Sequence, residues 1–431
     1  MLSPSPALSR RQLLGHALGS TALLGISRQA WAHPAHPHIL LRSSWQTVNI
    51  GDIAHTPGVL ALLERYLPQA EIRLWPSSLA DGVETMLQRR FPQVKLLQSQ
   101  AAIDEAFQEC DFMLHGSGPS LVAQRDVERW LTQTGKPFGV YGITLPRTES
   151  SAIAPTPDAT FRKTLDILDQ ARFVFFRDSQ SLALAQELGC RCPIMEFGPD
   201  GAFATDLRDD DAAQAFLARH QLETGKFLCC IPRLRYTPYW LIPSKKRPFD
   251  EVKHARNEAM KEHDHAPLRQ AIEEVVRQTE LNILLCPEDQ TQMAVGRELI
   301  YDRLPDEIRR RVVWRPDYWL PGEALSTYIR SAGLFGNEMH SPIMCIGNGV
   351  PAIVCRWTEQ TSKGLMWRDI GLEDWLFDFD NPADLARLPE TVLQLAREPS
   401  QARAKARQAR LFVEQRQQAT MAILGKALQA S

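Results

Sequence analysis

Residues 336–363, GNEMHSPIMCIGNGVPAIVCRWTEQTSK, decide the fold. Pro342 is typical of the first turn of a helix, where the N–H that proline lacks has no intrahelical partner in any case. The apolar residues 343–346 give this helix a buried face, and Gly347 predicts where it ends. The apolar run at 351–355 then predicts a short buried strand. A helix followed at once by such a strand is the repeating unit of an α/β fold with a parallel sheet.

His340 opens the predicted helix, directly after a strand that is expected to end near Gly336. In α/β folds, anionic ligands bind where the carboxyl end of a strand meets the N-terminus of the next helix, because the first N–H groups of the helix have no partner there. We therefore expect His340 to lie in a functional site, as an acid or as a ligand to an anion.

Short apolar runs alternate with amphipathic helices in two series along the chain, which predicts doubly wound parallel sheets. Strands are predicted at residues 39–42, 72–75, 94–97, 111–115, 138–142 and 173–176, and again at 227–231, 282–286, 312–315, 334–335 and 351–355. Helices are predicted at 57–66 and 268–278, among others. The expected architecture is two Rossmann-like domains that face a cleft.

The composition changes around residues 200–211, which sets the predicted domain boundary. We expect an N-terminal domain at residues 39–208, a C-terminal domain at 209–398 and a C-terminal helix at 399–431. Residues 236–265 are polar and too long for an ordinary connection, so they are predicted to be an insertion that serves as a lid or a surface arm.

Residues 1–32 have the pattern of a twin-arginine signal peptide. Arg10 and Arg11 precede a weakly apolar run, and Ala30-Trp31-Ala32 resembles a cleavage site. Residues 33–38 are rich in His and Pro and are predicted to be a linker. We expect a periplasmic protein that meets the twin-arginine export machinery and has no membrane span in the mature chain.

The composition is that of a globular protein, with 44% hydrophobic and 23% charged residues. A net charge of -2 argues against binding to nucleic acid, which requires a basic surface. The eight cysteines do not have the spacing of a disulfide framework or a zinc site. We therefore expect buried free thiols and no protein-bound metal or cofactor.

Two loops follow predicted strands and carry residues suited to ligand binding. In the first, Asn49-Ile50-Gly51-Asp52, the aspartate can act as a base, although a turn with a helix cap explains the pattern equally well. In the second, His115-Gly116-Ser117-Gly118, the glycines allow the backbone to approach an anion. Neither loop has the dinucleotide or Walker signature, so neither NAD nor ATP is expected.

Arginines at strand ends supply candidate anion ligands. Arg177 leaves a predicted strand, and Arg233 and Arg235 follow the apolar run FLCCI, where bidentate anion recognition and simple surface exposure are both open. Near His340, the residue Ser341 lacks the flanking glycines of a nucleophile elbow, which argues against a hydrolase.

In their order and spacing these motifs resemble the polysaccharide pyruvyl transferase family over residues 40–376. The matching positions are Asn49, Gly51 and Asp52; residues 116–118; Arg177, Asp178 and Ser181; Pro199-Asp200; and His340, Gly349, Val350 and Pro351, with Lys363 beyond them.

The resemblance implies a glycosyltransferase-B-like pair of domains. It also implies transfer of a pyruvyl group from phosphoenolpyruvate to a sugar, giving a ketal on a surface or exported glycan. The partners would be this small-molecule donor and a glycan acceptor. His340 would bind the donor phosphate or protonate the enol carbon, and Arg233 falls where family members place a donor-binding arginine.

The predicted site therefore has His340 and Asp52 as catalytic residues. The residues expected to bind substrate are Asn49, Gly51, Gly116, Ser117, Gly118, Arg177, Arg233, Arg235, Glu338, Ser341 and Lys363. Family members usually have arginine where this chain has Glu338. This difference and the export signal keep open a non-catalytic periplasmic protein that binds a glycan or another anion. A glycosyltransferase that uses a sugar nucleotide on the same architecture is a further alternative.

Overall fold

The structure is a computed structural model that describes residues 36–43, 45–145 and 159–430. Residues 36–431 group into one compact unit. The predicted signal peptide at 1–32 and the first half of the predicted linker, residues 33–35, lie outside the described residues. Among the described residues, no helix is both long and apolar enough to cross a membrane.

The first half of the described chain forms a seven-stranded parallel sheet in the order β3-β2-β1-β4-β5-β6-β7. Its strands are β1 (His38–Arg42), β2 (Glu71–Trp75), β3 (Lys95–Leu96), β4 (Phe112–His115), β5 (Phe138–Ile143), β6 (Val174–Phe176) and β7 (Met195–Phe197). The strand order reverses between β1 and β4, so the carboxyl ends of these two strands open the crevice in which doubly wound folds bind ligands.

The second half repeats this topology in a six-stranded parallel sheet, in the order β10-β9-β8-β11-β12-β13. Its strands are β8 (Phe227–Ile231), β9 (Asn282–Leu285), β10 (Val312–Trp314), β11 (Gly333–Gly336), β12 (Ala352–Arg356) and β13 (Leu376–Asp378). The order reverses between β8 and β11. The predicted pair of Rossmann-like doubly wound sheets is therefore confirmed.

Helices cover the faces of both sheets. In the first half they are α1 (Ile50–Tyr66), α2 (Val83–Arg90), α3 (Gln100–Glu109), α4 (Gln124–Thr134), α5 (Ala159–Leu168) and α6 (Ser179–Glu187). Those that follow are α7 (Asp210–Arg219), α8 (Glu251–Gln278), α9 (Gln292–Leu299), α10 (Asp306–Arg309), α11 (Pro321–Tyr328), α12 (His340–Gly347), α13 (Met366–Asp369), α14 (Pro382–Arg397) and α15 (Pro399–Gln429).

The last helix, α15, packs on both halves of the chain. Its Met421 and Leu424 are buried with the core of the first sheet, where Thr420 also lies 3.3 Å from the hydroxyl of Tyr141. Earlier in the same helix, Ala406 and Val413 belong to the core of the second sheet. Helix α15 therefore closes the apolar surface of both sheets at once.

Two helices begin earlier than the sequence predicts. Helix α1 begins at Ile50 rather than at residue 57, because the Asn49 side chain accepts hydrogen bonds from the N–H groups of Gly51 and Asp52 and caps the helix there. Pro57 lies inside this helix. Helix α8 begins at Glu251 rather than 268, so half of the predicted insertion is regular helix that is capped by Asp250.

Strands β7 and β13 and helix α7 were missed by the sequence analysis. Both strands are three residues long and contain an acidic residue, Glu196 or Asp378, so neither stands out as an apolar run. Helix α7 begins in the acidic run at residues 209–211, within the predicted domain boundary, where Asp209 caps the helix.

Gly58 allows α1 to pack directly on the backbone at Gly201, because a Cβ at position 58 would overlap the carbonyl group of Gly201. We expect Gly58→Ala to lower the unfolding free energy by about 2 kcal/mol or more, since backbone has to move to relieve the overlap. Gly425→Ala is the matched control in helix α15, where the added methyl makes only ordinary contact with Leu67. The control should be neutral or stabilising by up to ~1 kcal/mol. Thermal unfolding midpoints of both variants are the measurement, and equal midpoints would contradict the packing described here.

Candidate active site

The candidate site lies where α1 of the first half meets α12 of the second half. Each helix follows the central strand beside the reversal of its sheet, so both N-termini point into the same crevice. The two helices touch at Gly51, where an added Cβ would overlap the imidazole of His340 and a carboxylate oxygen of Glu288. Gly51 is therefore required for close packing against the site and offers no side chain to a ligand.

His340 is buried at the start of α12 and is held by Glu288, which follows β9. Its Nδ1 lies 3.2 Å from Oε1 of Glu288. The other carboxylate oxygen of Glu288 accepts hydrogen bonds from the N–H and the hydroxyl of Ser341, at 2.7 and 2.6 Å. Glu288 thus orients the imidazole and fixes the first turn of the helix, and Ser341 is used to hold this carboxylate.

A second imidazole, that of His55 on α1, is held in the same way. Its Nδ1 lies 2.8 Å from Oδ1 of Asp200, whose Oδ2 accepts a hydrogen bond of 2.6 Å from Arg177. Burial raises the pKa of Asp200, but His55 and Arg177 outweigh this effect and hold that pKa well below its usual range. Arg177 also donates to Thr144 and is fully buried, so its position is that of a partner for Asp200.

The two imidazoles stand edge to face, with ring centroids 4.7 Å apart. Nε2 of His55 is buried and has no hydrogen-bond partner among the described residues. Asp52, one turn before His55 on α1, is partly exposed, and one ligand atom from each of Asp52, His55 and His340 lies within 4.8 Å of the others. Such a group can exchange protons with a substrate, and its donor atoms can also hold a divalent cation.

Arg233 follows β8 and lies beside this group. Its Nη1 is 3.1 Å from Oε2 of Glu338, and Oε1 of Glu338 accepts a hydrogen bond of 2.6 Å from Gln292. Gln292 in turn accepts hydrogen bonds from the N–H groups of Glu288 and Asp289. A continuous network of hydrogen bonds therefore joins Arg233 to the backbone of Glu288, the residue whose carboxylate orients His340.

The charges in this network are strongly coupled. Burial opposes the charge of Arg233, but the carboxylates of Glu338 and Asp289 raise its pKa above the usual value. Burial also raises the pKa of Asp289, and Glu338 adds to this effect. The Nε of Arg233 is buried without a hydrogen-bond partner among the described residues, so this guanidinium retains an unused donor.

Tyr239 lies at the open side of the group. Its hydroxyl accepts a hydrogen bond of 2.8 Å from Gln46, and burial together with the charge of Asp52 raises its pKa to about 12. Arg235, by contrast, is fully buried and is paired with Asp264, Glu359 and Asp380. Because these three carboxylates pair with its guanidinium, Arg235 has a structural role and does not act with the imidazoles.

The glycine loop after β4 is packed inside the first half. A Cβ at Gly116 would overlap Ser43, and the hydroxyl of Ser117 accepts a hydrogen bond of 2.7 Å from the N–H of Gly201. Gly118 forms a parallel bridge with Ile143. Burial lowers the pKa of His115 to about 4, so this histidine is neutral near pH 7. The loop therefore positions the Asp200 region. Lys363 begins a short 3-10 turn after β12.

Comparison with known proteins decides the family. The model of the polysaccharide pyruvyl transferase family matches residues 49–359, which is more than two thirds of the chain. This chain belongs to the polysaccharide pyruvyl transferase family. The match begins at Asn49, the cap of α1, and ends just beyond β12, so it contains both imidazoles of the site. No curated protein sequence matches the chain significantly.

Three solved structures of similar shape share about a tenth of their sequence with this member of the family. Anabaena Alr3699/HepE in complex with UDP and glucose has a TM-score of 0.55 at 10% identity and covers 92% of this chain and 100% of its own. UDP-GlcNAc 2-epimerase from Neisseria meningitidis has a TM-score of 0.54 at 9% identity, with coverages of 90% and 100%. A Polygonum tinctorium UDP-glucosyltransferase has a TM-score of 0.52 at 10% identity, with coverages of 92% and 99%. The fold of this family member is thus glycosyltransferase-B-like.

The sequence analysis assigned Asp52, Arg233, Glu338 and His340 to the site. It missed several side chains that form the hydrogen bonds around them. Glu288 and Gln292 lie in and after a loop without a recognisable motif. His55 lies inside a helix, where its spacing of three residues from Asp52 was the available signal. Asp200 was noted only as part of a Pro-Asp pair, and its carboxylate gains a role because β7 ends beside it.

The Arg233–Glu338 pair provides a test of this network. We expect Arg233→Met to lower the unfolding free energy by roughly 3 kcal/mol, because it removes the cation beside a buried carboxylate. The double variant Arg233→Met/Glu338→Gln should recover a large part of this loss, since the amide keeps the contact with Gln292 without a buried charge. Denaturant midpoints measure both effects, and Arg247→Met is the matched control at an exposed arginine. A double variant no more stable than Arg233→Met would rule out the pairing as the source of the loss.

Proposed function

We propose that this protein transfers the pyruvyl group of phosphoenolpyruvate to two hydroxyls of a sugar in a surface or exported glycan, forming a cyclic ketal. The family membership supports this activity. The observation that carries the proposal is the hydrogen-bonded network from Arg233 through Glu338 and Gln292 to the backbone of Glu288, whose carboxylate orients His340. It joins a cation suited to the donor with an acid suited to its enol carbon.

The donor carries a phosphate and a carboxylate, and the site offers matching groups. The free Nε donor of Arg233 suits a carboxylate or phosphate oxygen. The N-terminus of α12 adds the positive end of a helix dipole. Glu338 is neutralised by Arg233, so its negative charge does not face the donor alone. This pairing is how the chain tolerates glutamate where relatives usually have arginine.

The chemistry needs one acid and one base. His340, as an imidazolium oriented by Glu288, protonates C3 of the enolpyruvyl group while a sugar hydroxyl attacks C2 and Asp52 takes its proton. The bond from C2 to the phosphate oxygen then breaks and phosphate leaves with the bonding electrons. A second hydroxyl of the sugar attacks C2 and closes the ketal, and its proton leaves with phosphate. The proton that Asp52 took returns to His340, which restores both groups. His55, oriented by Asp200, lies where it can exchange protons with His340.

A second candidate function is sugar-nucleotide glycosyl transfer. Its support is the likeness to structures determined with UDP, UDP and glucose, or UDP-GlcNAc, which is a likeness of fold alone. A third candidate is binding of an acidic ligand without transfer. Export would favour this candidate, because phosphoenolpyruvate is a cytoplasmic metabolite. The three candidates differ in which ligand stabilises the protein.

Ligand-dependent thermal unfolding separates these candidates. We expect phosphoenolpyruvate at about 100 times its Kd to stabilise the protein by about 2.7 kcal/mol. Arg233→Lys should abolish most of this shift, because lysine lacks the second donor of the guanidinium, whereas Arg247→Lys should preserve it. In an assay of phosphate release with a glycan acceptor, His340→Asn should lower kcat by about 10² to 10⁴ while phosphoenolpyruvate still binds.

Several outcomes would contradict this function. A shift with UDP-sugars and none with phosphoenolpyruvate would favour glycosyl transfer. Stabilisation by acidic oligosaccharides alone, with no release of phosphate, would favour a binding protein. Unchanged turnover in His340→Asn would remove this histidine from the reaction.

We also propose that the protein is exported in the folded state through the twin-arginine machinery to the periplasm. The support is the pair Arg10-Arg11 and the Ala30-Trp31-Ala32 site in the sequence. Arg10→Lys/Arg11→Lys should leave the protein uncleaved in the cytoplasm. The control variant Arg28→Lys, outside the twin-arginine motif, should be exported and cleaved like the parent protein. Fractionation measures both, and equal export of the two variants would contradict the proposal.

A further inference from the structure

Residues 240–256, which we call the arm, are used neither in the network around His340 nor in the cores of the two sheets, apart from Ile242. The arm begins in one short turn, Tyr239–Leu241, and continues through a second, Pro243–Lys245. It ends in the first turns of α8. Nearly all of its side chains beyond Ile242 are exposed. A long exposed segment next to a candidate site is a candidate surface for binding a partner.

The arm exposes large apolar side chains to an unusual degree. Val252 is 80% exposed, Leu241 67% and Phe249 55%. Among the described residues, Val252 and Leu241 are the two most exposed large apolar side chains. Transfer of such side chains from water into an apolar phase is favourable. Three of them within twelve residues indicate an interaction surface.

Aromatic rings hold the tip of the arm together. The ring of Phe249 lies 5.4 Å from that of Trp240 in an edge-to-face contact and 5.1 Å from that of His254. Phe249 and Trp240 also line a cavity of about 730 Å³ together with Val252. The ring contacts fix the apolar side chains as one surface instead of leaving them on a flexible loop. Tryptophan beside such a surface is typical of the boundary between water and lipid.

The same surface is basic. Between residues 240 and 256 five side chains are basic and two are acidic. Lys253 pairs with Asp250 and Arg256 pairs with Glu359. No ion pair is formed by Lys246 or Arg247 with any of the described residues, and both are exposed. The arm therefore keeps positive charge available beside its exposed apolar side chains.

From this combination we infer that the arm docks the protein on an anionic membrane surface. Apolar side chains enter the interface between head groups and acyl chains, and the lysines and arginine contact lipid phosphates. A glycan is the alternative partner for this surface. Sugar rings stack on aromatic faces, which would use Trp240 and Phe249 but would leave Leu241 and Val252 without a role. The exposed aliphatic side chains thus favour lipid.

Docking by the arm would place the membrane at the entrance to the site. The cavity that is lined by Trp240 and Phe249 of the arm is also lined by Arg233 and Tyr239. A glycan attached to a membrane lipid would then enter the site from the membrane side. The membrane contact itself does not depend on the proposed transfer, because it involves none of the residues that act on the donor.

Vesicle flotation tests the inference with residues 36–431, which form one compact unit and lack the apolar N-terminal run. The probes are vesicles of phosphatidylcholine alone and vesicles with equal parts of phosphatidylglycerol. We expect binding to the anionic vesicles that weakens at high salt. Leu241→Ser/Val252→Ser should lower this binding at least tenfold, and Lys246→Gln/Arg247→Gln should lower it several-fold and reduce its salt dependence. Leu411→Ser is the matched control at a similarly exposed side chain on α15 and should bind like the parent protein.

Tryptophan fluorescence gives a second readout. Anionic vesicles should shift the emission to shorter wavelength, and Trp240→Phe should remove most of this shift. Absence of binding to anionic vesicles, or equal loss in Leu411→Ser, would overturn the inference. Binding of a soluble oligosaccharide that is lost in Trp240→Phe, without binding to vesicles, would likewise overturn it and assign the arm to a glycan.

Discussion

The contact between α1 and α12 is the constraint on which the rest of the structure depends. Gly51 brings the first turn of α1 against His340 and Glu288, and Gly58 brings the next turns against the backbone at Gly201. At the far end of α12, Gly347 makes an equally close approach to the backbone of Phe203. Gly51 thus lets α1 touch α12 directly, while Gly58 and Gly347 let the two helices pack on the short turn Gly201–Ala204. Helix packing therefore brings the two imidazoles together, and loops supply Glu288, Asp200 and Arg233 around them.

The two buried imidazoles show how such an interface supports charge. Each is held through Nδ1 by a carboxylate that follows a strand of its own half, Asp200 for His55 and Glu288 for His340. A carboxylate in this position fixes the tautomer and stabilises the imidazolium, and a buried carboxylate persists only with several donors of its own. Arg177 supplies those donors for Asp200, and the first turn of α12 supplies them for Glu288. Both carboxylates are therefore held by neighbouring donors, and each of them holds the imidazole that it contacts.

Sequence alone predicted the two sheets and the place of His340, because apolar runs, Pro342 and the glycines are local signals. It did not predict that Arg177 and Arg235 are enclosed by carboxylates, since Asp200, Asp264 and Asp380 lie far from them in the chain. An arginine after a strand has the same local pattern whether it faces a ligand or an internal acid. The starts of α1 and α8 were missed for a related reason, because caps at Asn49 and Asp250 extend helices into stretches with polar composition.

Glu338 shows most clearly why charge at one position of a motif has to be judged in three dimensions. By sequence it places a negative charge two residues before His340, which would repel an anionic donor. In the structure its two oxygens accept hydrogen bonds from Arg233 and Gln292, residues that are 105 and 46 positions away. The charge that a ligand meets is that of the whole group, in which Arg233 keeps a free Nε donor. The negative charge at position 338 therefore does not give the charge of the group, because the guanidinium of Arg233 lies beside it.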